Sequence, residues 1–161
     1  METTKNKTDV LIIKRTFNAP ISKIWKAWTD PETFKKWWGP KNYTCPEATI
    51  DFKVGGKVHA CMKDKKDGKE VWSIGTYKEI VQNKKIVVTD SFSDEDGNIV
   101  SASELGMKEM ENFPETLLIK VHFAENNGKT DLTLEHEGLP EGMKDDCRNG
   151  WQQSLDKMEQ L

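Results

Sequence analysis

The sequence predicts an α+β fold in which a curved antiparallel sheet is closed on one face by a long C-terminal helix, with two short helices after the first strand. Three observations predict it. Alternating and β-branched stretches recur from Glu47 to His136, separated by turns rich in Gly, Asn and Asp. The segment PISKIWKAWTDPETFKKWWGPKNY at 20–43 holds two helical patterns separated by Thr29-Asp30-Pro31. The chain ends in an amphipathic stretch from about Pro140 to Gln160, with Cys147, Trp151, Leu155 and Met158 at helical spacings.

Taken in order, Val10 to Phe17 (VLIIKRTF) is β-branched, apolar and bounded by Asn18-Ala19-Pro20, so it reads as a strand. Ile21, Ile24, Trp25 and Trp28 then form one helical face. Asp30 is placed to cap a second helix. Pro31 suits its first position, where a missing N–H costs nothing. That helix carries Phe34, Trp37 and Trp38 and stops at Gly39-Pro40. Strands follow at Glu47 to Phe52, Lys57 to Met62, Val71 to Ile80 and Ile86 to Ser91. The last two strands, Leu117 to Phe123 and Thr130 to His136, flank Asn127-Gly128, a strong hairpin signal. Leu117, Ile119, Val121 and Phe123 share a core face with Leu132 and Leu134. Residues 1–9, METTKNKTD, are expected to be an extended tail, and 10–161 one domain; a chain of this size buries roughly 70% of its unfolded surface.

Composition excludes several classes of function. Net charge is −3 with both signs interspersed, so nothing points to nucleic acid. No apolar run approaches the ~18 residues of a membrane-spanning helix, and the polar first residues lack the apolar core of a signal peptide. Cys45, Cys61 and Cys147 are odd in number and widely spaced, which suits reduced thiols and a cytoplasmic location better than a disulfide framework or a metal site.

Several stretches carry a family resemblance: RTFNAPISKIWKAWTDPETFKKWWGP at 15–40, IDFKVGG at 50–56, SIGTYKEI at 73–80, SFSDEDGN at 91–98, KTDLTLEHEGLP at 129–140 and GWQQSLDKMEQL at 150–161. In these the chain resembles the START-like (Bet v 1-like, helix-grip, SRPBCC) superfamily, and within it the Activator of Hsp90 ATPase homologue 1-like family. The resemblance implies six or seven strands gripping the C-terminal helix around an apolar pocket. It also implies one of three roles: small-molecule or lipid binding, chaperone regulation, or polyketide-type cyclisation. Hsp90 activators carry a further N-terminal domain that makes much of the chaperone contact. This chain starts almost at its first strand, so the expected partner is first an apolar small molecule or lipid and second a chaperone, with no cofactor and no stable membrane insertion.

The candidate pocket residues are Trp37, Trp38, Tyr43, Met62, Trp72, Met107, Met110, Phe113, Phe123, Trp151 and Leu155. Trp25 and Trp28 continue an ordinary core face. Trp37 and Trp38 are adjacent, so on a helix they point about 100° apart; one should seal the core and the other line the pocket. With Tyr43 they would instead form an exposed patch if the protein docks a partner. Ser101 to Pro114, with Leu105, Met107, Met110 and Phe113, reads as a lid, and methionine suits an adaptable apolar site. Gly150 inside a helix implies close backbone approach or a kink.

Catalytic patterns are sparse: no nucleophile-elbow, zinc-helix or phosphate-loop motif is present, and no catalytic residue is assigned. His136 shares the phase of Leu132 and Leu134, which carries it to the pocket rim. His136, Glu104 and Tyr77 are the candidates for acid–base chemistry if the pocket is an enzyme site. His59 and His122 fall on polar phases and are expected at the surface. Asp94-Glu95-Asp96-Gly97 fails the calcium-loop spacing and reads as a hairpin turn. Arg15 shares the inward phase of Ile13 and Phe17 and needs a partner, with Asp51 and Asp90 suggested by charge.

Overall fold

The computed structural model describes residues 10–106 and 113–161. Strand β1 (Val10–Phe17) is followed by helices α1 (Ile21–Thr29) and α2 (Pro31–Phe34), then by β2 (Tyr43–Thr44), β3 (Ala48–Ile50), β4 (Lys57–Asp64), β5 (Glu70–Val81), β6 (Lys85–Ser93), β7 (Leu117–Asn126) and β8 (Lys129–Glu137). Helix α3 (Lys144–Glu159) ends the chain. The strands form one curled antiparallel sheet in the order β1-β8-β7-β6-β5-β4-β2, with β3 also paired to β4. The path holds seven strands, as expected, and the short β3 is an eighth beside it. Tyr43–Thr44 is a two-residue edge strand that the sequence did not signal, and the predicted strand at 47–52 shortens to Ala48–Ile50.

Local chemistry accounts for the elements. Asp30 accepts a hydrogen bond from the Thr33 amide at 3.0 Å, with Pro31 in the first helical turn. Asn127 and Gly128 both have positive φ, 53° and 80°, as a two-residue turn between right-twisted strands requires. Asp94 holds the 94–98 turn by accepting from the amides of Asp96 and Asn98, at 3.0 and 2.8 Å. The second helix is shorter than predicted. After Phe34 the backbone tightens, Trp37 N–H reaching the Phe34 carbonyl at 3.2 Å, before Gly39-Pro40 ends it.

Register places the core. Ile13 and Val121 both lie opposite Leu134, and Arg15 and Phe123 opposite Leu132, so one face of β1, β8 and β7 is continuous. Helix α1 lays Ile24, Ala27 and Trp28 on this face, and Trp25 meets Phe123 at 5.1 Å between ring centres. Helix α3 contributes Trp151, Ser154, Leu155 and Met158. Arg15 does turn inward, but its partners differ from those suggested. Its guanidinium bonds Asp156 at 2.8 Å and Glu159 at 3.2 Å, pinning β1 to α3. Charge alone could not reveal that the last helix crosses over β1.

Candidate functional site: an apolar cavity between sheet and last helix

Helix α3 does not lie flush on the sheet. Between them is a cavity of about 450 Å³, bounded by the Gly39-Pro40 turn, β4, β5, β6, the start of β7, the end of β8 and α3. Alternation explains the sheet wall. Met62 pairs with Val71 across β4 and β5, and Ser73 follows on the same face. Phe92 and Asp90 come from β6, Leu117 from β7 and His136 from β8. From α3, Cys147, Gly150, Trp151 and Ser154 recur at spacings of three, one and three, which is one helical face.

The expected site residues divide sharply. Trp38, Tyr43, Met62, Phe113 and Trp151 come together on the cavity wall. Trp37 does not: it is fully buried and its indole N–H donates to the Ala27 carbonyl at 2.7 Å, so it ties α2 to α1. The two adjacent tryptophans thus diverge, one into the core and one onto the cavity. Phe123 lies in the core under Trp25 and Trp28. Leu155 is one turn past Trp151 and fully buried. Trp72 stands on the opposite face from Val71 and Ser73, against His59 at 4.7 Å; a one-residue step along a strand reverses the side chain. Met107 and Met110 lie outside the described residues. Leu105 in the same segment is exposed, whereas Phe113 packs on Phe92 at 5.6 Å.

Gly39 and Gly150 both line the cavity. Gly39 has φ +102°, and a Cβ there would sit 3.3 Å from the Met62 sulfur and from Tyr43 Cβ. Gly150 approaches Pro40, whose Cγ would be 3.5 Å from an added Cβ. A Cβ would make only an ordinary contact there, so the close approach expected of the α3 glycine does not require a glycine. Lys157 reinforces the turn from below, donating to the carbonyls of Pro40 and Tyr43 at 3.2 and 3.1 Å. Burial, with the nearby Lys65 charge, holds its ammonium below the usual lysine range.

One corner of the cavity is polar. Trp151 donates its indole N–H to His136 Nδ1 at 3.1 Å. A nitrogen that accepts carries no proton, so the neutral ring bears its proton on Nε2. Nε2 is buried without a hydrogen-bond partner, and Asp90 Oδ2 stands 3.5 Å away, beyond a good bond. Sequence reading placed His136 at the rim but missed Asp90. The signal was available, because Asp90 is an acid on the phase of the buried Ile86 and Val88. Cys147 also lines the cavity. Burial raises its thiol above the usual range, helped by Asp146 and Asp90.

The other acid–base candidates stand apart. Tyr77 is buried against Phe52 at 5.0 Å, its hydroxyl pushed far up by burial, and Glu104 is exposed. The acids flanking His136 face away from it, Glu135 to His122 and Glu137 to Lys120. His59 is only partly exposed, its Nε2 reaching the Asp94 carbonyl at 3.1 Å.

A curled antiparallel sheet gripping a C-terminal helix, with a cavity between them, is the helix-grip architecture of START-like domains. The model of the family "Activator of Hsp90 ATPase homolog 1-like protein" matches residues 18–161, and the chain belongs to that family. Solved structures agree on the fold. A protein of Chromobacterium violaceum is 25% identical, covering 95% of this chain and 96% of its own, with a TM-score of 0.76. One of Mycobacterium smegmatis is 22% identical, covering 97% and 91%, with a TM-score of 0.77. One of Arthrobacter aurescens is also 22% identical, covering 95% and 85%, with a TM-score of 0.77. None of the curated proteins matches the sequence.

Proposed function

We propose that the protein binds an apolar small molecule or lipid in the cavity between β4–β8 and α3. The observation that carries this reading is the cavity itself. Its volume of about 450 Å³ falls within the ~300–1,000 Å³ typical of ligand sites. Trp38, Phe92, Phe113 and Trp151 supply flat apolar walls, and Met62 a deformable one. A ligand giving up about 300 Å² of apolar surface would gain about 7–8 kcal/mol at ~25 cal/mol per Å². After the costs of association, that corresponds to micromolar or weaker affinity.

Chaperone docking, the other role that the family name suggests, was expected to use a patch of Trp37, Trp38 and Tyr43. Trp37 is fully buried, and Trp38 and Tyr43 are half-buried on the cavity wall, which favours a ligand over a partner surface at this place. Among the described residues no helix is long and apolar enough to cross a membrane. Native mass spectrometry tests the proposal. Gently purified protein, or protein incubated with an apolar naphthalene derivative, should show a bound species that organic solvent releases. A bare chain that takes up no apolar compound contradicts it.

A further inference from the structure

We infer that the ligand carries a hydroxyl group, and that Asp90 and His136 recognise it together. This inference rests on the cavity reading and narrows it to a chemical class: neutral apolar alcohols or phenols.

His136 is only 5% exposed, and Trp151 occupies its Nδ1 as a donor. The ring therefore presents Nε2–H, and that donor has no hydrogen-bond partner. A buried unpaired donor is costly, and the residue that carries it lines the cavity, so a small shift of the ring would let a ligand acceptor relieve it. Asp90 stands beside it with its Oδ2 3.5 Å from Nε2 and its side chain still 27% open. A carboxylate offers acceptors only. One oxygen can sit about 2.8 Å from both groups at this separation.

Only some groups satisfy both neighbours. A hydroxyl accepts from His136 Nε2–H through a lone pair and donates its own proton to Asp90. An ether satisfies the histidine and leaves the carboxylate facing a lone pair. An alkylammonium satisfies Asp90 but offers His136 no acceptor. A ligand carboxylate meets Asp90 directly and Asp146 across the cavity, and the described lining contains no Lys or Arg to offset them. Lys157 is not among the lining residues and already donates to the Pro40 and Tyr43 carbonyls. The aromatic walls accept the apolar body; Trp38 Nε1 is also buried without a partner, but Asp90 with His136 is where a free donor and an acid stand together, and that pairing selects a hydroxyl.

Isothermal calorimetry with four probes of one ring system separates the possibilities: 2-naphthol, 2-methylnaphthalene, 2-methoxynaphthalene and 2-naphthoate. Wild-type protein should bind 2-naphthol about tenfold or more tightly than 2-methylnaphthalene or 2-methoxynaphthalene, because a hydrogen bond to a charged group is added. 2-Naphthoate should bind weakest. Asp90→Leu should shrink the preference for 2-naphthol over 2-methylnaphthalene to what the His136 Nε2–H alone supplies. Asp90→Asn, which keeps the shape, should raise 2-naphthoate affinity. Equal binding of 2-naphthol and 2-methylnaphthalene, or tightest binding of 2-naphthoate, would overturn the hydroxyl assignment and leave the cavity reading standing. Binding of none of the four overturns both.

Discussion

Two glycines line the cavity, and adding one methyl group to each should have opposite effects. Gly150 lies in the interior of α3, with helical neighbours on both sides. An added Cβ there meets Pro40 Cγ at 3.5 Å, an ordinary contact. Gly150→Ala should therefore gain helix propensity without strain, about 0.5–1 kcal/mol. For a chain of 161 residues, with about 2–4 °C per kcal/mol, Tm should rise by about 1–4 °C. Gly39 has φ +102°, which L-residues rarely adopt, and its Cβ would press on Met62 and Tyr43 at 3.3 Å. Gly39→Ala should cost about 1–3 kcal/mol, lowering Tm by about 2–12 °C. Far-UV circular dichroism melts of the three proteins at one scan rate measure both shifts. A fall in Tm for Gly150→Ala, or a rise for Gly39→Ala, would refute the geometry assigned to these glycines.

Other consequences follow from single groups. The Asp30 carboxyl is held below its ordinary 3.8 by hydrogen bonds from the Thr33 hydroxyl and amide. Its stabilisation is thus present above the unfolded value and lost as pH falls through the folded one. Asp30→Ala should lower Tm at pH 7, and the gap should close in acid; a gap that persists there contradicts the cap. Cys147 should react with N-ethylmaleimide at pH 8 more slowly than a free thiol, because burial and then Asp146 and Asp90 raise its pKa. Asp146→Asn should speed the reaction, while Cys45 and Cys61, buried and pushed up to about 11, stay unmodified in the native protein. Mass spectrometry after timed quenching reads both, and labelling at the free-thiol rate would refute the environment described. Trp151→Phe should cost about 1–3 kcal/mol by leaving His136 Nδ1 unpaired. ¹⁵N NMR should show the wild-type ring protonated on Nε2; a proton on Nδ1 alone would contradict the Trp151 bond.

What the sequence made legible was local. Asp30-Pro31 and Asn127-Gly128 declare a cap and a turn through their own backbone chemistry, and both are as read. The period-two alternation of β7 and β8 identified the core face. Assigning residues to cavity or core needs more, because an apolar side chain looks the same in either place. Trp72 was misplaced by one step of alternation. Phe123 and Leu155 have the correct face, but α1 covers the first and close packing the second, and neither fact is local. Arg15 shows the same limit: its partners lie 141 and 144 residues away, on a helix whose path over β1 only the assembled fold defines. Polar residues on apolar phases were the more telling signal. His136 and Asp90 both interrupt buried runs, and both line the cavity.

The claim that the cavity is a ligand site is tested most directly by filling it. Cys147 lines it from α3 and is partly exposed, so Cys147→Trp should place an indole in the space with little change to the fold. Titration with the fluorescent apolar probe N-phenyl-1-naphthylamine should give saturable, micromolar binding to the wild type. The Cys147→Trp protein, with an unchanged circular dichroism spectrum, should have lost it. Equal binding by the two proteins, or none by the wild type, would contradict the account.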